Sequence, residues 1–231
     1  MKRFYQKVGV DPALGGWRVL LDGRSVKTPG GAPQIAPSEA LAHTLAAEWE
    51  AQGEKIDPSA MPLRAMADYA LDVIAPDPAS RIAAILPYGE TDTLLYRADP
   101  EEPLYARQQE EWEPIVCRFE ERHGLMLTRV SGIIARPQDP DAMGRLRSVL
   151  DGHGPFTLAA LDIATSLAAS LITGLEALEE GSDPSALWQA ANLEEDWQAE
   201  QWGRDEEAEA RRDRREADFV RACEFARLAA T

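Results

Sequence analysis

Carboxylates and indoles are crowded together between Leu187 and Glu207, LWQAANLEEDWQAEQWGRDEE, a stretch that holds three of the six tryptophans. A carboxylate accepts paired hydrogen bonds from an arginine, and a tryptophan offers a large contact area with one N–H donor. Side by side, these groups suit recognition of another protein's surface. If one helix runs from Pro184 to Trp202, then Trp188, Ala191, Glu195 and Trp202 fall at i, i+3, i+7 and i+14. Leu187, Glu194 and Trp197 share an adjacent stripe. Spacing leaves two readings open. The tryptophans are core residues with the glutamates as a solvated edge, or the stretch is an aromatic and acidic contact site for a partner.

Other reactive groups are sparse. The chain has no GxSxG elbow, GxxxxGK[ST] loop, GxGxxG fingerprint or HExxH motif. Its only imidazoles are His43, His123 and His153, and none has metal-ligand spacing to another His or Cys. Cys117 and Cys223 stand far apart without CxxC spacing, which suits two inert thiols in a reducing compartment. Carboxylates therefore supply the one enzymatic alternative, a hydrolase using paired acids or a carboxylate-bound divalent ion. Asp68 and Asp72 would share a helix face, and Glu90 with Asp92 would add oxygens. With 40 acids in the chain such pairs arise readily by chance, and caps or surface carboxylates account for them. No cofactor and no metal are expected.

The elements that position these groups fall into an α+β pattern. Short antiparallel strands are expected at Phe4–Val10, Trp17–Leu21, Ser25–Thr28 and Gln34–Ala36, with Asp22-Gly23 as a hairpin turn. Ser38 caps a helix to about Gln52 that carries Glu48 and Trp49 and covers the sheet. Asp57-Pro58 and Met61-Pro62 disfavour helix and mark a boundary, giving a small β-rich domain over residues 1–60 and a larger, mainly helical domain over 61–231. Helices are expected at Leu63–Ile74, Pro78–Leu86, Glu101–His123, Asp139–Leu150, Phe156–Glu180, Pro184–Trp202 and Asp205–Ala229. Thr91–Arg97 and Met126–Ile134 read as strands or buried connectors. The run Arg204–Asp218 reads as a solvated helix face with i, i+4 pairs, a basic patch for an acidic partner being the alternative.

At 231 residues and 45% hydrophobic content the chain can build a sizeable core, and no apolar run approaches the roughly 20 residues that cross a bilayer. A net charge of -16 repels nucleic acid and anionic membranes, so neither is an expected partner.

A series of short motifs gives the chain a family resemblance. They are Arg3-Phe4-Tyr5, Leu21-Asp22-Gly23-Arg24, Lys27-Thr28-Pro29, Ala47-Glu48-Trp49 with Gln52, Met61-Pro62-Leu63, Thr91-Asp92 with Leu94, Trp112 with Pro114, Leu193-Glu194-Glu195, Trp197-Gln198, Glu200 and Trp202-Gly203. In this order and spacing they resemble the ATP synthase F(1)-sector assembly chaperones of mitochondria and alphaproteobacteria that hold the alpha subunit. The resemblance implies an ATP-independent, non-enzymatic chaperone with a small β-rich domain and a helical one. It binds newly made alpha subunit, shields the surface later taken by the beta subunit, and is absent from the finished enzyme. It also implies that acids of the last tryptophan motif matter, here Glu194 and Glu195. Trp197, Glu200, Trp202, Glu48 and Trp49 complete the expected partner-binding set. The chain is expected to be monomeric when free and, without an Arg- and Ser-rich leader before Arg3, to reside in the bacterial cytoplasm, the mitochondrial matrix being the place of eukaryotic relatives.

Overall fold

The computed structural model describes residues 1–132, 136–203 and 205–230. Contacts divide the chain into two units. The first comprises Met1–Pro78, Gly154–Ala160 and the chain from Glu224 on; the second comprises Ala79–His153 and Leu161–Cys223. All four lysines, Lys2, Lys7, Lys27 and Lys55, fall in the first unit, so the second contains no lysine.

In the first unit β1 (Val8–Ala13) pairs antiparallel with β2 (Gly16–Leu21), from Val8 opposite Leu21 to Ala13 opposite Gly16. Asp22 and Gly23 both take positive φ, 49° and 79°, and turn the chain into β3 (Arg24–Ser25). The last strand, β4 (Ile35–Ala36), crosses β2 at Trp17 and Arg18, and a Cβ at Gly16 would run into the Ala36 carbonyl. The first strand starts four residues later than its sequence pattern predicts. The Asp22 carboxylate accepts the amides of Gln6 (3.1 Å) and Lys7 (2.8 Å), which removes them from the ladder. Those two bonds hold its pKa below the usual aspartate value. β1 instead runs on through Pro12, which is tolerated because β1 is an edge strand.

α1 (Glu39–Glu50) starts where predicted, with the Ser38 hydroxyl accepting the Leu41 amide at 3.0 Å. Its buried Leu41, Leu45 and Trp49 lie at helical spacing, and the helix packs on β1 and β2. α2 (Pro62–Tyr69) opens on proline and passes into a π turn at Ala70–Ile74, so the helix expected over 63–74 changes its winding halfway.

The remaining helices are α3 (Pro78–Ile85), α4 (Pro103–His123), α5 (Pro140–Asp151), α6 (Pro155–Ala168), α7 (Leu171–Leu178), α8 (Pro184–Ala191), α9 (Leu193–Trp202) and α10 (Glu206–Ala230). The small antiparallel sheet followed by a mostly helical region is the expected α+β class. No helix among the described residues is long and apolar enough to cross a membrane. The two ambiguous stretches contribute a two-residue parallel pair, β5 (Tyr96–Arg97) with β6 (Val130–Ser131), after a 3-10 turn at Thr93–Leu95. Ile133, Ile134 and Arg204, which belong to expected segments, lie outside the described residues.

Two expected long helices are broken. The helix read over Phe156–Glu180 stops at Ala169, whose φ is 48°, and restarts with Ser170 as the cap of α7. The helix read over Pro184–Trp202 stops at Asn192, whose side-chain amide donates to the Trp188 carbonyl at 2.8 Å. At the first break Asp92, which is completely buried, accepts from the Ser170 hydroxyl (2.7 Å) and from the amides of Ile172 (2.9 Å) and Leu94 (3.1 Å). The carboxylate thus serves the free N–H groups at the start of α7. Burial pushes its pKa up to about 6, against the pull of those donors.

An unfolded aspartate titrates at about 3.9, so between about pH 4 and pH 6 the native state keeps a proton that the unfolded chain has lost. The corresponding stability is fully present below pH 4 and is lost as pH rises through 6. Asp92→Asn cannot titrate. In urea unfolding, the stability of the native sequence relative to that variant should fall by about 2 kcal/mol from pH 4 to pH 7. A difference that stays flat would show that the shift is absent.

Candidate functional site

α9 gathers five of the predicted contact residues on ten positions. Leu193, 2% exposed, anchors its first turn, where Glu194, Glu195 and Asp196 meet the positive end of the helix dipole. Three sides of the helix are tied down. Glu194 is half-buried and accepts a 2.7 Å bond from the Gln108 side-chain amide on α4; burial pushes its carboxyl above the usual range, partly opposed by that donor. Gln108 is itself completely buried, and its oxygen accepts the Ala98 amide at 2.8 Å.

Asp196 takes both terminal nitrogens of Arg212 on α10, the Nη2–Oδ2 contact being 2.5 Å. This pairing holds the Arg212 pKa above its ordinary value. On the third side Arg107 of α4 donates to both oxygens of Glu200 at 3.0 and 2.8 Å, and its guanidinium lies 5.9 Å from the centre of the Trp197 ring. Glu195, Gln198 and Trp202 share the remaining face by helical period, and all three are exposed, Trp202 at 82%. Arg215 comes within 4.0 Å of Glu195.

The break at Asn192 separates residues that the sequence register puts on one stripe. Trp188, on α8, is completely buried against Phe219 with ring centres 5.5 Å apart, whereas Trp202 faces solvent. Glu48 and Trp49 belong to the first unit. Glu48 caps α2, its two oxygens accepting the Leu63 and Arg64 amides at 2.8 Å each. Trp49 is 4% exposed, packs edge-on to Tyr5, accepts the Tyr5 hydroxyl on its carbonyl at 2.6 Å, and has the Arg64 guanidinium 4.7 Å from its ring centre.

The supports of α9 escaped sequence reasoning. Arg107 and Gln108 lie 93 and 86 positions from their partners, and no local spacing marks them. Arg212 sits in the run read as a solvated face, yet only 22% of its side chain is exposed. Acids considered for hydrolysis are engaged elsewhere: Asp72 binds the Thr28 hydroxyl (2.6 Å) and the Gly30 amide (2.8 Å), and Asp68 binds Gln34 (2.6 Å). Among the described residues no group of three or more His, Cys, Asp or Glu is placed to hold a metal ion. Cys117 is exposed and Cys223 buried, and neither forms a disulfide.

A family model described as "ATP12 chaperone protein" matches residues 2–120. Protein atp12, mitochondrial, of Schizosaccharomyces pombe is 26% identical over 219 residues, covering 90% of this chain and 75% of its own. The crystal structure of Atp12 from Paracoccus denitrificans superposes with a TM-score of 0.94 at 40% identity, covering 99% of this chain and 98% of that one. The Atu1473 protein from Agrobacterium tumefaciens superposes with a TM-score of 0.92 at 38% identity, covering 100% and 86%. Fold and sequence together define a chaperone. More particularly, the chain belongs to the ATP12 chaperone family.

If the ion pairs hold α9 in place, Arg212→Ala should cost about 1 kcal/mol of stability and speed hydrogen exchange at the amides of residues 196–202. Unchanged exchange there would show that Leu193 alone fixes the helix.

Proposed function

We propose that this protein binds the unassembled alpha subunit of the ATP synthase F(1) sector, keeps its exposed interface from aggregating, and hands it to the beta subunit. The observation that carries this reading is the outward face of α9, where Glu195 and Trp202 stand in solvent on a helix tied down along its other sides. A subunit waiting for its partner exposes apolar surface that tends to aggregate. Trp202 offers the area to cover part of it, and Glu195 offers a carboxylate to an arginine of the client. Because α9 is already ordered, little conformational entropy is lost on binding. Glu194, Trp197 and Glu200 act by positioning the helix, while Glu48 and Trp49 act within the first unit.

The net charge of -16 keeps the complex soluble and steers a basic client surface. Handover requires only moderate affinity, since the beta subunit competes for the covered interface. The free chaperone is monomeric and needs no cofactor. The bacterial sources of the two solved relatives favour a cytoplasmic location.

Co-expression with the alpha subunit should yield a soluble one-to-one complex that added beta subunit dissolves. Glu195→Lys should abolish capture, with the melting temperature nearly unchanged because the side chain is exposed. A variant that unfolds would show a structural role for Glu195, and native protein that never captures alpha would refute the reading.

A further inference from the structure

The first unit contains a groove of about 670 Å³ whose chemistry is opposite to that of α9. Its lining comes from the N-terminal segment, the β2–β3 turn, the end of α1 and the start of α2. Tyr5 and Trp49, both buried, supply aromatic surface, and Phe4 remains 62% exposed at the groove. Three cations line it against one lining carboxylate, Asp22: Arg24 and Lys27, both exposed, and Arg64, which is paired with Asp68 at 3.5 Å. Asp22 is already occupied by the Gln6 and Lys7 amides. In a chain of net charge -16, a concave surface that combines cations with aromatic rings is a local exception. Four of the motif segments named above, those containing Phe4-Tyr5, Asp22-Gly23-Arg24, Lys27 and Trp49, converge on it.

The geometry selects among anionic occupants. A nucleotide base held between two rings needs two open ring faces, but Tyr5 and Trp49 are buried edge-on to each other and Phe4 alone is exposed among the aromatic rings lining the groove. A phosphate seeks free amides at a helix N-terminus, and the first amides of α2 are taken by Glu48. A peptide needs neither feature. An apolar side chain of an extended segment can enter the groove while flanking carboxylates meet the guanidinium and ammonium groups.

We propose that this groove binds an extended, acidic segment of a client protein in which an aromatic or branched aliphatic side chain is flanked by carboxylates. The two units then present complementary hooks, α9 for basic surface and the groove for acidic surface. Long-range repulsion from the acidic chain is overcome only where these cations are concentrated, which makes binding selective for place as well as for charge.

The probe is a fluorescein-labelled peptide, Gly-Glu-Phe-Glu-Leu-Glu-Gly, followed by anisotropy with the full chain. Binding should weaken with added salt, and should be weakened roughly tenfold or more by the double substitution Arg24→Glu, Lys27→Glu. Both side chains are exposed, so the melting temperature should hold. Phe4→Ala should also weaken binding, giving a second reading from the apolar side. A peptide with lysine in place of each glutamate should not bind. Failure of the acidic peptide to bind, equal affinity for the two peptides, or unchanged affinity in both variants would overturn the proposal. Tighter binding of ATP than of the peptide would also overturn it, by assigning the groove to a nucleotide. The assay contains no alpha subunit, so its outcome stands apart from that of the capture experiment.

Discussion

Trp112 donates its indole N–H to the Ala190 carbonyl at 2.6 Å from a completely buried position on α4. That carbonyl sits in the last turn of α8, where intrahelical donors run out. The bond satisfies it and ties α8 to α4. Two residues later, Asn192 turns its side-chain amide back to the Trp188 carbonyl and the helix ends. The exposed face of α9 depends on this stop. Had one helix continued, Trp202 would share the stripe of Trp188, which is wholly buried beside Phe219. With the break, α9 keeps Leu193 inside and puts Trp202 outside.

The second unit manages its excess of acids with arginine. Glu176, 2% exposed, is held by Arg118 at 2.8 Å and by Arg122. Arg97, whose side chain is fully buried, pairs with Glu113 at 3.0 Å, and Arg129 joins Glu113 to Glu120. Burial lowers the Arg97 pKa, while Glu113 opposes the fall. Such pairs add little net stability after desolvation, but an unpaired member would be costly, so they fix which packing is allowed. The planar fork of arginine can bind two oxygens or two carboxylates at once, as Arg212 and Arg129 do here. Acidic side chains on α9 are thereby divided into held and displayed groups.

Features governed by neighbours in sequence were legible. Asp22-Gly23 turns as its dipeptide requires, and Ser38 caps α1. Features governed by distant partners were not. The break at Ala169 depends on Asp92, 77 positions away, and helical periodicity runs through it without interruption. The late start of β1 depends on the Asp22 side chain reaching back 16 positions to Gln6. In the same way, spacing found the acids and tryptophans of α9 but could not say which faced out, because Gln108, Arg107 and Arg212 decide that from other helices.

The confinement of lysine to Lys2, Lys7, Lys27 and Lys55 has a practical side. Primary amines on side chains are absent from the whole helical unit, because every cation there is a guanidinium. Acylating enzymes, ubiquitin ligases and amine-reactive crosslinkers therefore find their lysines only in the first 55 residues. Of those, Lys27 lies in the groove itself, so its acylation would neutralise one of the cations lining it. The face of α9 is silent to the same reagents and is visible instead to carbodiimides, which activate its carboxylates.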